Sequence, residues 1–114
     1  MIPEKKILSM LGLARRAGKV VSGEFSTEKA VKTGKAFLAV VAADASENTQ
    51  KMFRDMCRFY EVPLCVIGTK EELGHAIGQQ MRASAAVTDE NFAHTILKMT
   101  KNEIDGGGQN GDRE

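Results

Sequence analysis

An α/β protein, a three-layer α/β/α sandwich around a mixed four- to five-stranded sheet, is predicted by three features of this sequence. Segments of helical period alternate with short β-branched runs along the chain, and crossover helices of that kind must cover both faces of a sheet. One run, Ala36-Phe37-Leu38-Ala39-Val40-Val41-Ala42-Ala43, is apolar throughout, the pattern of a strand buried on both sides. Glycines and capping side chains fall where helices in this order would stop and start.

Taken in order, Ile7, Leu8, Leu11 and Ala14 recur at helical spacing and the pattern stops at Gly18, which predicts a first helix over 4–17. Lys19-Val20-Val21-Ser22 is a strand candidate between Gly18 and Gly23, and a second helix is expected from Ser26 to Thr33, ended by Gly34. The run 36–43 follows as the central strand. Asp44-Ala45-Ser46 offers caps for a third helix, in which Met52, Phe53, Met56, Phe59 and Tyr60 are expected to form one buried stripe. Pro63 blocks continuation ahead of a strand Leu64-Cys65-Val66-Ile67, and Thr69 with Glu72 has the spacing of a capping box for a fourth helix reaching Ile77. A loop at 78–82, a strand Ala83-Ser84-Ala85-Ala86-Val87, and a helix capped by Asp89 and ending near Glu103 complete the order.

The length of 114 residues suits one folded unit, expected over 1–104. From Asp105 the chain reads Asp-Gly-Gly-Gly-Gln-Asn-Gly-Asp-Arg-Glu. With nothing apolar to bury, 105–114 is expected to be a disordered tail. No run is long enough to cross a bilayer and the start has no small-residue cleavage site, so a cytoplasmic location, no membrane partner and a monomeric state are expected. Cys57 and Cys65, seven residues intervening, match neither a zinc pair nor a redox pair, and read as small buried hydrophobes. His75 and His94 have no partners at ligand spacing, so no metal and no cofactor are expected.

Enzyme motifs are missing: the sequence holds no GxGxxG, no phosphate loop ending in Gly-Lys-Ser/Thr, no GxSxG and no HExxH. Asp44, just past the central strand, stands where open α/β sheets place ligands, but helix capping accounts for it more simply. The charge distribution says more. Residues 1–35 hold eight basic and three acidic side chains, net +5, whereas the remainder holds eight and twelve, net −4. Such asymmetry steers a polyanion to one side of a nearly neutral molecule, and nucleic acid is the indicated partner.

Within this region the glycine at 23 permits close backbone approach, and the helix start after it offers free N–H groups and a positive dipole end to phosphate. Lys29 and Lys32 are three apart and share a helix face. On spacing alone a solvated helix surface explains them equally well.

A wider pattern favours binding. A helix is followed by Lys19-Val20-Val21-Ser22-Gly23, by a second helix bearing Lys29 six residues past the glycine, and by an apolar strand closing in Ala43-Asp44-Ala45-Ser46-x-Asn48-Thr49. Val62-Pro63-Leu64, Glu72-Leu73-Gly74-x-Ala76-Ile77-Gly78 and Ala85-Ala86-Val87-Thr88-Asp89 come later. In this order and over residues 4 to 103 the chain resembles the kink-turn-binding ribosomal protein family named for ribosomal proteins L-seven-Ae and L-thirty-e, and within it the small bacterial YlxQ-like branch.

The resemblance implies an α/β/α sandwich and a structured RNA partner, a kink-turn and by extension ribosomal RNA, gripped by the glycine-led start of the second helix and the loop before the last strand. Carried onto this chain, the positions are Gly23, Glu24, Phe25, Ser26 and Lys29, with Gly78, Gln79, Gln80, Met81, Arg82, Ala83 and Ser84 as the second element. Arg16, Lys19, Lys32 and Lys35 would neutralise phosphates around them. The chain departs from archaeal and eukaryotic members in one respect. They place Asn-Glu two and three residues past the glycine to read guanines of sheared G·A pairs, and this chain has Phe25 and Ser26 there. Phosphate contacts by Lys29 and the helix-start amides, a hydrogen bond between Ser26 or an accepting Glu24 and a base edge or ribose hydroxyl, and stacking by Phe25 remain available. The alternatives are a protein-interaction module on the same scaffold and, third, a small nucleotide-binding domain around Asp44.

Overall fold

The computed structural model describes residues 4–105. The elements are α1 (Glu4–Arg16), β1 (Val20–Ser22), α2 (Glu24–Lys32), β2 (Leu38–Val41), α3 (Glu47–Tyr60), β3 (Leu64–Val66), α4 (Lys70–Ala76), β4 (Ser84–Val87) and α5 (Glu90–Asp105). The expected tail therefore begins inside α5 at Asp105, and the rest of that expectation, 106–114, lies outside the described residues.

The sheet is mixed and four-stranded, in the order β1-β4-β2-β3. β4 runs antiparallel to both β1 and β2, and β2 pairs in parallel with β3. Alternation along the two inner strands divides the core. Leu38, Val40, Ala85 and Val87 face one side with Ile7 and Leu11 of α1, Leu73 and Ile77 of α4, and Ala93 and Ile96 of α5. Ala39, Val41 and Ala86 face the other, with Ala30 and Val31 of α2 and Phe53, Met56 and Cys57 of α3. Two separate apolar cores on opposite faces of one sheet make the three-layer sandwich, and every residue of β2 and β4 is buried, as the run 36–43 implied.

Three local expectations are corrected. The second helix starts at Glu24, two residues early, because Gly23 itself is the N-cap: it turns the chain with φ 92° and ψ 156°, and its carbonyl accepts the Thr27 N–H at 2.9 Å. In α3 the buried stripe is Phe53, Met56 and Cys57, while Phe59 and Tyr60 are exposed. At 100° per residue Phe59 points about 120° away from Phe53. Tyr60 keeps the inner side but ends the helix, past the last core contact. Finally, Asp44 does not cap α3. Ser46 does so, accepting the Thr49 N–H at 3.1 Å, while the Asp44 carboxylate accepts the Lys70 N–H at 2.8 Å and so secures the first turn of α4.

The capping box that opens α4 is complete, Thr69 Oγ1 accepting from Glu72 N at 3.0 Å and Glu72 Oε1 from Thr69 N at 2.9 Å. Asp89 opens α5 by accepting the Phe92 N–H at 2.9 Å. Both cysteines are unpaired and buried. Burial disfavours their thiolates, and it is the main cause of the Cys65 pKa being pushed up to about 11, which makes an inert packing residue of it.

Candidate nucleic-acid interface

The amides of Glu24, Phe25 and Ser26 open α2 and have no acceptor within the helix. No side chain caps them. Three donors thus point outward at the positive end of the helix dipole, beside three exposed side chains. Phe25 is 77% exposed, which excludes a buried staple and leaves the ring open to an incoming flat surface. Lys29 follows one turn later on the same face as Phe25 and Ser26, and is exposed.

The second element is the connection between α4 and β4. Its tightness comes from hydrogen bonds back onto α4: Gln79 N donates to the Gly74 carbonyl at 2.8 Å and Arg82 N to the Lys70 carbonyl at 3.0 Å. Gly74 makes the fit possible, since a Cβ there would overlap the Gln80 carbonyl oxygen. Arg82 then fastens the loop from outside. Its Nη1 donates to the Met81 carbonyl at 2.9 Å, its Nη2 to Gln79 Oε1 at 3.1 Å and its Nε to Ser22 Oγ at 3.2 Å. Gly78, Gln79, Gln80 and Met81 are left exposed, Met81 by 58%.

Two bonds join the elements. Besides the Arg82–Ser22 contact, the Gly23 N–H donates to the Ser84 carbonyl at 3.0 Å. The helix start and the loop are therefore fixed to neighbouring strands, β1 and β4, at one rim of the sheet.

Not every expected residue stands at this rim. Ser84 is fully buried in β4, and its hydroxyl and that of Thr27 in α2 have no hydrogen-bond partner among the described residues. Ser84 therefore contributes through its backbone carbonyl and not as a surface contact. Ala83 is half-buried against the α2–α3 core. Arg82 is half-buried and its guanidinium donors are committed to the loop and to Ser22, so it acts as a tie. Lys19 precedes β1 and lies about 13 Å from Gly23 along the strand. Lys32 is held by Glu28 at 2.7 Å, a hydrogen bond that, with the carboxylate charge, raises the pKa of its amine. Lys35 is exposed beyond the far end of α2. Arg16 lines a groove of about 550 Å³ between α1 and α4, with Leu8, Gly12, Leu13 and His75. Its neighbour Arg15, not among the expected contacts, is the one whose guanidinium lies against Gly78. Adjacent helical residues diverge by 100°, and nothing in an Arg-Arg pair says which one faces the loop.

Among the described residues no group of three or more His, Cys, Asp or Glu could hold a metal ion, and no helix is long and apolar enough to cross a membrane. The rim is a donor-rich, partly apolar surface built from backbone geometry.

The model of the Ribosomal protein L7Ae/L30e/S12e/Gadd45 family matches residues 5–98. The chain belongs to that family. Among its relatives, a Bacillus subtilis (strain 168) protein named RNA-binding protein YlxQ is 41% identical over 90 residues, 79% of this chain and 90% of that protein. An Enterococcus faecium protein of the same name is 38% identical over 102 residues, 90% of this chain and 94% of that one. The family member described here thus falls in the YlxQ-like branch. A solved structure of a protein with unknown function from Bacillus halodurans C superimposes with a TM-score of 0.81 at 36% identity, covering 84% of this chain and 97% of the other. The Giardia lamblia 15.5kD RNA binding protein shares the fold, with a TM-score of 0.74 at 23% identity over 85% of this chain and 86% of its own. Both of these YlxQ relatives are RNA-binding proteins by name.

Proposed function

We propose that this family member is a non-enzymatic RNA-binding protein of the cytoplasm, acting as a monomer and recognising a kink-turn or similarly bent RNA, with ribosomal RNA as the leading source. Residues 1–104 form its binding unit. The observation that carries the reading is the uncapped, glycine-led start of α2 held against the α4–β4 loop by the Gly23–Ser84 and Arg82–Ser22 bonds. A continuous duplex hides its base edges in grooves, whereas a kink widens a groove and exposes unstacked bases. A protruding helix end with free amides, one open ring and a lysine one turn behind suits the second surface better than the first.

In this arrangement the amides of Glu24, Phe25 and Ser26 and the Lys29 amine hold phosphates, Phe25 stacks on an exposed base, and Met81 covers the looped strand. With Phe25-Ser26 in the place of an Asn-Glu pair, backbone shape supplies more of the specificity than guanine edges do. Binding to a kink-turn RNA and to a straight duplex of matched length, at several salt concentrations, tests this. Preference for the kinked RNA, with affinity falling by roughly one log-log slope unit per phosphate contact, is the expected result. Equal weak binding to both would overturn it and favour a protein-interaction module.

A further inference from the structure

The aromatic residues of this chain are used unusually. Of five phenylalanines and one tyrosine, only Phe53 is fully buried, while Phe25, Phe37, Phe59 and Tyr60 are exposed. Phe25 belongs to the rim described above. Phe59 and Tyr60 do not: they end α3 as an edge-to-face pair with ring centroids 4.9 Å apart, Phe59 being 78% and Tyr60 41% exposed. Paired rings left in water at a helix end mark a contact surface.

The fold sets this pair at the end of a basic path. β1 and β2 are both antiparallel to β4 and hence parallel to each other. α2 and α3, which follow them on one face of the sheet, therefore run side by side with their C-terminal ends together. Lys29, Lys32 and Lys35 mark the way from the rim, and Lys32 lies close enough to Tyr60 to interact with its phenol. From Gly23 to Lys32 is about 14 Å of helix. Around the rings the acids are outnumbered. Asp55 is bound by Lys51 at 2.9 Å and also faces Arg58 and Arg54, which together hold its carboxyl below the ordinary range. Glu28 is taken by Lys32, and Glu61, exposed, directly follows the rings in the chain.

We propose that Phe59 and Tyr60 form a second RNA contact, a stacking platform for unpaired nucleotides that leave the bent RNA and follow α2 toward its C-terminal end. A single strand fits this surface because bases stack on exposed rings irrespective of sequence while basic side chains track the phosphates. A duplex would bring no free base face to the rings. This inference rests on the binding reading above and extends its footprint to the far end of α2.

The test compares a kink-turn RNA carrying a short unpaired extension, on either strand, with its blunt counterpart, against the full chain and its Phe59→Ala, Phe59→Tyr and Tyr60→Ala variants. The unmodified chain is expected to favour the extended RNA by about five- to tenfold or more. Phe59→Ala is expected to abolish that preference with blunt-RNA affinity unchanged, and Phe59→Tyr to keep it. No preference in the unmodified chain, or an equal loss on both RNAs in Phe59→Ala, would overturn the platform and leave the rings to a protein partner. Binding that depends on the extension but ignores the kink would sustain the platform and sink the reading on which it was built.

Discussion

The start of α2 and the α4–β4 loop meet at one rim, yet each depends on a glycine for an opposite reason. Gly23 has nothing within 4 Å of where a Cβ would stand, but its φ of 92° is one that L side chains rarely adopt. Gly74 sits in ordinary helical backbone and lacks room, because the loop lies against it. One site is limited by torsion and the other by volume. Torsional strain stays local, whereas lost volume displaces everything packed above it.

Substitutions separate the two. Gly74→Ala is expected to have the largest effect, about 2 kcal/mol or more in urea denaturation, because the Gln80 carbonyl must move and the Gln79 and Arg82 bonds go with it. RNA affinity should fall as well, since Met81 is carried on the same segment. Gly23→Ala should cost about 1–2 kcal/mol, with amide exchange raised near the start of α2 and the loop undisturbed. Loop-wide changes in that variant would erase the distinction between torsion and volume.

Asp44→Ala removes the carboxylate that accepts from Lys70 N and should cost about 1 kcal/mol by loosening the first turn of α4. Direct RNA contact by Asp44 would appear instead as an affinity change without a stability change. Lys29→Ala should leave stability within about 0.5 kcal/mol, yet weaken RNA binding and lower the salt slope by about 1. An unaltered affinity and slope would remove Lys29 from the interface.

The layers and most elements were legible because they rest on short-range signals. The apolar run through β2, the Thr69–Glu72 box and the Asp89 cap each act within a few residues. What stayed hidden depends on distant partners. Asp44 was expected to cap the helix next to it and instead caps one reached 26 residues later. Arg82 reads as a surface cation, but its donors are used to hold Met81, Gln79 and Ser22. Gly74 looks like any weak point in a helix until the loop is set upon it. The candidate site was therefore legible as a pair of segments, Gly23–Lys29 and 78–84, and not as the bonds that join them. Phe59 and Tyr60 were assigned to the core by hydrophobicity, where angle and helix end put them outside.

Among the described residues the only sheet neighbour of β1 is β4, and the Arg82–Ser22 link closes over 60 residues. Most of the chain must be collapsed before the rim exists, since loop closure has to precede the contacts that reward it. A ribosome-bound chain still lacking β4 has no ladder to hold β1 and nothing to anchor Gly23. The lysines emerge early in synthesis, but the shape that aims them arrives with the last strand, so a half-made molecule can attract RNA without being able to grip it.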